Sequence, residues 1–243
     1  MRTIDPLRID DDTRVLVLTG AGVSAESGIP TFRDANGLWE RHRFEDVASP
    51  EGFARDPKLV WRFYSLRREA AATCAPNPGH EALVALEGRL GDRFLLATQN
   101  VDGLHRAAGS ERVVEMHGNL FTSRCSGCDR GPFDDHRCYF DALPRCDRCG
   151  ALLRPHIVWF GEVLDPAELA RIDRFITAPR TGRLVFLAAG TSGAVHPAAG
   201  LVDRCRRSGA ETVLVNLDAP DNERSFARVL RGRSGEVLPQ LLR

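Results

Sequence analysis

The chain has 243 residues, of which 43% are hydrophobic and 27% are charged, a composition that supports a packed core and argues against a disordered chain. Its 33 basic and 33 acidic residues give a formal net charge of zero, so the overall charge does not indicate a general nucleic-acid-binding protein. No apolar run approaches the ~20 residues that span a bilayer, and the N-terminus lacks a signal-peptide pattern. We therefore expect a cytoplasmic protein with no membrane partner and no specific nucleic-acid partner, while the oligomeric state stays unpredicted.

The first predicted strand runs from Arg14 to Thr19 and leads into a glycine-rich turn. Its leucine and β-branched residues indicate a buried strand of a parallel sheet. The turn Gly20-Ala21-Gly22-Val23-Ser24-Ala25 satisfies the dinucleotide-binding pattern G-x-G-x-x-[GA]. We expect Gly20 to make the turn, Gly22 to let the backbone approach a phosphate, and a helix N-terminus to follow. The alternative is a generic glycine turn, because the acidic ribose partner that such folds carry about twenty residues further on is absent.

Residues 38–79 interrupt the expected alternation of strands and helices, because they hold no strand-like run and one helical pattern near 57–73. On that helix Tyr64 and Arg67 lie three residues apart and share a face. A forked guanidinium and a phenol can together hold a carboxylate. The alternative, which composition alone favours, is an amphipathic helix whose arginines are merely solvated.

The rest of the chain alternates strand-like and helical patterns. Apolar strand-like runs occur at residues 94–98, 184–188 and 212–216, and helical patterns occur at residues 80–90, 166–176 and 197–208. This order predicts an α/β fold, a doubly wound parallel Rossmann-like sheet with a smaller domain. We assign residues 1–37, 80–117 and 154–243 to the large domain, and residues 38–79 and 118–153 to the small one.

Polar residues follow the strand predicted at residues 94–98. Gln99, Asn100 and Asp102 lie where parallel sheets place their ligand contacts. Their side chains can offer hydrogen bonds to ribose hydroxyls and to an amide such as nicotinamide. Loop capping by short polar side chains explains the same pattern, and the residues alone leave the two alternatives open.

His117 lies just past the run Val113-Val114-Glu115-Met116, at the expected end of another strand. An imidazole with an ordinary pKa of ~6.5 is suited to general-base catalysis near neutrality. A lone histidine is more often structural, and the chain has seven. Position alone therefore does not assign His117 a catalytic role.

Four cysteines form two tight pairs in a polar stretch. Cys125 and Cys128 are followed, after seventeen residues, by Cys146 and Cys149. This spacing is typical of a zinc ribbon, and four thiolates complete a tetrahedron without an open position for water. We expect one structural zinc ion, with buried free thiols or a redox pair as the alternative. The other three cysteines are scattered and odd in number, which favours a reducing cytoplasm.

The segment Val158-Trp159-Phe160-Gly161 is apolar and is expected to be extended. Such a backbone can add a substrate peptide as a further strand. The alternative is a buried strand or loop packed between the two domains.

Several of these motifs stand together in an order that resembles the sirtuins, NAD-dependent protein lysine deacylases. The matching segments are Gly20-Ala21-Gly22 with Ser27-Gly28-Ile29-Pro30-Thr31-Phe32-Arg33, Thr98-Gln99-Asn100-Val101-Asp102-Gly103-Leu104-His105, Met116-His117-Gly118, Val158-Trp159-Phe160-Gly161-Glu162, Gly190-Thr191-Ser192 and Val215-Asn216-Leu217. The resemblance runs from residue 14 to the C-terminus. It implies an enzyme that consumes NAD and releases nicotinamide, O-acyl-ADP-ribose and a free lysine.

The resemblance also implies roles for individual residues. His117 is the general base, Asn100 orients a water or a ribose hydroxyl, and Asp102 holds the nicotinamide carboxamide. The residues implied to bind NAD are Gly20, Ala21, Gly22, Ser24, Glu26, Thr31, Phe32, Arg33, Trp39, Gln99, Asn100, Val101, Asp102, Gly190, Thr191, Ser192, Asn216, Leu217, Asp218 and Ser234. The residues implied to bind the acylated lysine of a protein substrate are Tyr64, Arg67, Val158, Trp159, Phe160 and Gly161.

The pair formed by Tyr64 and Arg67 resembles that of class III sirtuins, which remove succinyl, malonyl or glutaryl groups. We therefore expect a class III enzyme, with deacetylation as a second activity. The alternatives are a plain deacetylase or an ADP-ribosyl transferase of the same fold, and a zinc-ribbon protein that senses NAD without catalysis.

Overall fold

The computed structural model describes residues 4–30, 38–39, 42–178 and 182–243. Its strands are β1 (Arg14–Thr19), β2 (Leu38–Trp39), β3 (His42–Arg43), β4 (Phe94–Thr98), β5 (Val113–Glu115), β6 (Gly118–Cys125), β7 (Phe133–Asp134), β8 (Leu153–Ile157), β9 (Leu184–Ala189), β10 (Glu211–Asn216) and β11 (Arg228–Arg231). Its helices are α1 (Phe44–Val47), α2 (Pro50–Arg55), α3 (Pro57–Ala72), α4 (Pro78–Leu90), α5 (Leu104–Ala107), α6 (Pro166–Thr177), α7 (Leu201–Arg207) and α8 (Ser234–Leu241).

Six parallel strands form the central sheet in the order β11-β10-β9-β1-β4-β5. Successive side chains of a strand point to opposite faces, so β1 feeds two apolar cores. Val15 and Val17 pack with residues of α4 and α8, whereas Leu16 and Leu18 pack with residues of α6 and α7. Helices therefore cover both faces, and the predicted doubly wound α/β fold is confirmed.

The order of the strands reverses between β1 and β9. From β1 the chain proceeds outward through β4 and β5, and it later returns to β9 on the other side before continuing to β10 and β11. The loops after β1 and β9 therefore border the crevice at the carboxyl ends of the strands, where ligands of such sheets bind. We call the loops at residues 20–30, 99–103 and 190–193 the loop edge.

A second sheet, in the order β7-β6-β8, packs with helices α1, α2 and α3 around a core of their own. We call these elements and the cysteine loops the small module. Trp61, on α3, is fully buried in that core and donates from Nε1 to Leu153 O at 2.9 Å. Residues of both inserted segments thus contribute to one core.

Two sequence-based expectations for the small domain can be compared with the strands. A domain boundary before Arg154 would cut β8, which pairs with β6 from Cys125 to Gly118, so we propose that the small module extends to Ile157. The segment 38–79 was expected to hold no strand, yet β2 and β3 form a short antiparallel pair there. A strand of two residues is too short to show the alternation of apolar and polar residues that predicts a strand.

None of the helices in the described residues is both long and apolar enough to cross a membrane.

Candidate active site

Two glycine loops meet backbone to backbone at the crevice. A Cβ atom on Gly22 would lie 2.7 Å from Gly190 Cα, and one on Gly20 would lie 2.8 Å from Gly190 O. Gly190 itself has a φ of 61°, in the left-handed region that favours glycine. Larger residues would force the loops after β1 and β9 apart. The glycines therefore shape the crevice through their mutual packing.

The helix predicted after the glycine turn does not form as a regular α-helix. Instead, single 3₁₀ turns occupy Ala21–Val23 and Ala25–Ser27, and Gly28 ends the second with a φ of 92°. So short a helical segment offers little of the dipole that a long helix would direct at a phosphate. The physical reason is a contact with a distant part of the chain, since Ser24, between the two turns, is buried and accepts from Asn100 Nδ2 in the loop after β4.

The loop after β4 buries its polar side chains at the base of the crevice. Asn100 donates from Nδ2 to Ser24 Oγ at 3.0 Å, and Asp102 accepts from Leu104 N at 2.9 Å. Burial raises the pKa of Asp102, while hydrogen bonds from Leu104 N and Ser24 act in the opposite direction. Gln99 reaches across to the loop after β9 and donates to Thr191 Oγ1 at 3.0 Å. The predicted residues Gln99, Asn100 and Asp102 thus converge with Ser24 and Thr191.

Beneath this loop lies a buried histidine pair that sequence analysis missed. His80 accepts from Asn77 N at Nδ1, so its Nε2 carries the proton and faces Ser24 Oγ at 3.4 Å. His105 contacts Thr19 Oγ1 through Nε2 at 2.8 Å, and the two imidazole rings lie 4.7 Å apart. Burial lowers the pKa of His80 to about 4. The sequence signal that could have found His80 is the helix start at Asn77-Pro78, because His80 then takes the third position of a capping box with Asn77.

His117 lies between the loop edge and the small module. Its Nδ1 is 3.0 Å from Gln99 O, and a carbonyl can only accept, so we assign the proton to Nδ1. The lone pair of Nε2 is then available as a base. Burial lowers the pKa of His117, although the bond to Gln99 O acts in the opposite direction. The imidazole is therefore neutral at pH 7, as general-base catalysis requires.

Tyr64 and Arg67 are buried, contrary to the solvated-arginine alternative. The side chain of Tyr64 is fully buried, and Arg67 is 7% exposed. Arg67 is close enough to lower the pKa of the Tyr64 phenol and of the Asp102 carboxyl, against the larger effect of burial on each. The pair thus lies between the small module and the loop after β4.

The segment at residues 158–161 is a loop after β8, and its amides are already engaged. Val158 N donates to His117 O at 2.9 Å, Phe160 N donates to Ala48 O at 3.0 Å, and Trp159 N donates to Glu162 Oε2 at 2.8 Å. Gly161 turns the chain with a φ of 86°. Because Glu162 N also donates, to Trp159 O at 3.0 Å, any pairing with a peptide in this segment is limited to carbonyl oxygens and to the amide of Gly161.

The four paired cysteines come together as predicted. Their sulfur atoms all lie within 4.8 Å of one another, with Cys125 and Cys149 3.5 Å apart and Cys128 and Cys146 3.8 Å apart. Zinc–sulfur bonds of about 2.3 Å in a tetrahedron place the sulfurs about 3.8 Å apart. Gly127 N donates to Cys125 Sγ and lowers the pKa of that thiol, which favours a thiolate. The cluster fits one structural zinc ion.

The remaining predicted NAD contacts differ in their surroundings. Asn216 is buried and donates from Nδ2 to Thr191 O at 3.0 Å, whereas Leu217 is 60% exposed. Glu26 accepts from Gly235 N at 2.7 Å and so ties its loop to the start of α8, near the buried Ser234. Four predicted contacts have side chains outside the described residues, namely Thr31, Phe32, Arg33 and Trp39.

Three further predicted contacts complete the loop edge and its neighbourhood. Val101 packs into the core of the small module, and its carbonyl accepts from Leu120 N at 2.8 Å. Ser192 is exposed, and its carbonyl accepts from Asp221 N at 3.0 Å. The carbonyl of Asp218 accepts from Asn216 Nδ2 at 2.9 Å.

Known proteins share this arrangement. The profile of the Sir2 family matches residues 20–197, more than half of the chain. The NAD-dependent protein deacylase of Thermococcus kodakarensis is 46% identical over 234 residues, which cover 94% of this chain and 89% of that protein. A crystal structure of a Sir2 homologue in complex with NAD has a TM-score of 0.85 at 44% identity and covers 94% of this chain and 87% of its own. A Sir2 complex with a p53 peptide and NAD has a TM-score of 0.75 at 29% identity and covers 93% of this chain and 90% of its own. The chain therefore belongs to the Sir2 family.

Proposed function

We propose that this protein is an NAD-dependent deacylase that removes acyl groups from lysine side chains of protein substrates. The observation that carries the proposal is the neutral imidazole of His117, whose Nε2 has no hydrogen-bond partner among the described residues. The carbonyl of His117 accepts from Val158 N at the start of the substrate segment. The relative named an NAD-dependent protein deacylase supports the reaction, and the Sir2 complex with a p53 peptide supports a protein substrate.

The crevice at the loop edge suits NAD. The close packing of Gly20 and Gly22 on Gly190 gives it backbone walls, and Asn100 and Asp102 offer a carboxamide and a carboxyl at its base. Such groups can bond the ribose hydroxyls and the nicotinamide amide. The exposed Leu217 offers an apolar surface to the adenine ring. When bound, NAD supplies the ribose carbon that accepts the acyl oxygen as nicotinamide leaves.

His117 then acts as the general base. Gln99 O holds the Nδ1 proton, so Nε2 is the nitrogen that takes a proton from a ribose hydroxyl. The bond to a fixed backbone carbonyl also sets the plane of the ring. The attached peptide chain enters beside residues 158–161, whose first amide is bonded to the His117 carbonyl.

The preferred acyl group on this proposal is one that ends in a carboxylate. Tyr64 and Arg67 are both buried, so their donors are shielded from water, where a hydrogen bond is electrostatically stronger than in solvent. A succinyl, malonyl or glutaryl chain brings a carboxylate that both side chains can bond. Acetyl-lysine lacks that group, so we expect it to be a poorer substrate.

The direct test mixes purified protein with NAD and lysine peptides carrying succinyl, malonyl, glutaryl or acetyl groups, and measures released nicotinamide. We expect peptide-dependent release that is fastest with the acidic groups. Absence of release with all four peptides would contradict the proposed function.

The acyl preference is tested by Arg67→Met. Hydrogen bonds to charged groups contribute about 1.5–3 kcal/mol, so kcat/KM for the succinyl peptide should fall by about 10- to 100-fold more than for the acetyl peptide. Equal losses on both peptides would show that Arg67 acts only in folding. The free energy of unfolding in urea, measured for the same variant, separates the two effects.

A further inference from the structure

The hydroxyl group of Tyr64 has one hydrogen bond left to make. Its oxygen accepts from Trp159 Nε1 at 2.9 Å. A phenol also has one O–H to donate, and within the described part of the chain no acceptor for it is found. Burial raises the pKa of this phenol above its ordinary value, so the proton stays in place at neutral pH.

Trp159 determines where that proton can point. An indole N–H can only donate, so Tyr64 cannot direct its own O–H at Trp159. The indole instead occupies one lone pair of the phenol oxygen. The O–H must then point away from the indole nitrogen, and the charge of Arg67, three residues along α3, acts on the same phenol.

Trp159 is itself held by an ion pair. Arg154 lies over its indole ring at 3.4 Å from the centroid, and Glu162 accepts from its backbone amide at 2.8 Å. Arg154 donates to both oxygens of Glu162, at 2.6 and 2.9 Å, and is 7% exposed. Burial acts to raise the pKa of Glu162, but the hydrogen bonds from Arg154 and Trp159 N outweigh it and lower it. The tryptophan ring is therefore clamped from one face and from its backbone.

The other buried tryptophan of the small module behaves differently. Trp61 is fully buried like Tyr64, yet its Nε1 donates to the backbone oxygen of Leu153. Its N–H thus bonds the backbone of β8 and not the Tyr64 oxygen. The contrast gives a matched control for the role of an indole N–H.

We propose that Trp159 is a positioning residue for acidic acyl chains: its indole N–H fixes the Tyr64 oxygen so that the phenolic O–H, together with Arg67, donates to the carboxylate of the substrate. Arg154 and Glu162 hold the indole in place for this purpose. This inference rests on the proposed function, and it adds a residue that selects among substrates without contacting the reacting atoms.

The test is Trp159→Phe, which removes the N–H and keeps an aromatic ring over Arg154. We expect kcat/KM for a succinyl peptide to fall by about tenfold more than for an acetyl peptide, mostly through KM, because about one neutral hydrogen bond of positioning is lost. Trp61→Phe should lower the midpoint of thermal unfolding and leave the succinyl-to-acetyl ratio unchanged. In a Tyr64→Phe background, Trp159→Phe should add little further change to that ratio.

Equal losses on the two peptides, or a full additional loss of the ratio in the Tyr64→Phe background, would overturn the inference, because Trp159 would then act on the fold or on another group. These outcomes leave the proposed function standing, since nicotinamide release from the acetyl peptide measures it separately. No release from either peptide by the unaltered protein would overturn the proposed function and this inference with it.

Discussion

The loop edge and the small module both bury polar side chains, but in opposite ways. In the small module, Arg68 and Asp135 are each 1% exposed at the side chain and face one another, with Ser123 donating to the same carboxylate at 2.6 Å. At the loop edge and directly beneath it, burial instead favours uncharged groups, because it raises the pKa of Asp102 and lowers that of His105 to about 3.

This difference distinguishes polar groups that are buried to stabilise the fold from polar groups that are buried to bind a ligand. Paired charges in the small module satisfy each other, so they stabilise the fold only as complete pairs. Polar groups at the loop edge and next to it keep capacity for a ligand, as Nε2 of the neighbouring His117 does. Changes at the loop edge should therefore affect catalysis more than stability, and changes to paired charges in the small module should do the reverse.

The largest effect is expected for His117→Ala. A general base typically contributes about 10²- to 10⁴-fold, so turnover of an acyl peptide should fall by that factor while calorimetry still detects NAD binding. Because burial lowers the pKa of His117, the acid limb of kcat/KM in the unaltered protein should lie below pH 6.5. Retained turnover, or loss of folding in the variant, would contradict the assignment.

A matched pair of carboxamide substitutions compares the two regions directly. Asp135→Asn leaves the buried Arg68 without its counter-charge, so the free energy of unfolding in urea should fall by about 3–5 kcal/mol. Asp102→Asn keeps the acceptor for Leu104 N, so stability should change by about 1 kcal/mol or less while nicotinamide release is lost. If both variants lose stability equally, the two regions do not differ as described.

The smallest effect concerns the pH dependence of stability. His80 and His105 have pKa values lowered by burial from 6.5 to about 4 and about 3, so the unfolded chain binds more protons between those values and 6.5. Their contribution to stability is complete above pH 6.5 and is lost as the pH falls, by up to about 1.4 kcal/mol per pH unit for each histidine. Urea titrations at pH 7 and pH 5 measure how much the free energy of unfolding falls between these pH values. This fall should be smaller in His105→Gln than in the unaltered protein. The exposed His136→Gln serves as the control, and an unchanged difference in His105→Gln would refute the argument.

The strands and the cysteine cluster could be predicted from sequence because each depends on a short local pattern. Strand β1 matches its apolar run residue for residue, and two C-x2-C pairs restrict where the four sulfurs can lie. The family motifs also point to His117 and Asn100, whose catalytic roles stay predictions.

Other features depend on contacts between distant parts of the chain. The helical pattern of α3 does not predict that Arg67 and Arg68 are buried. For Arg68, burial depends on acceptors from β6 and from the loop at Asp135. The bond from Trp159 to Tyr64 joins residues 95 positions apart. No sequence periodicity predicts such a pair. The 3₁₀ turns that replace the expected helix after the glycine turn also follow from tertiary packing.

The most direct test of the central claim is mass analysis of the products formed from NAD and a succinyl-lysine peptide. The account predicts equal amounts of nicotinamide, unmodified lysine peptide and succinyl-ADP-ribose, all absent when NAD is omitted. A peptide that keeps its succinyl group, or that gains the mass of ADP-ribose, would contradict deacylation and indicate a different reaction.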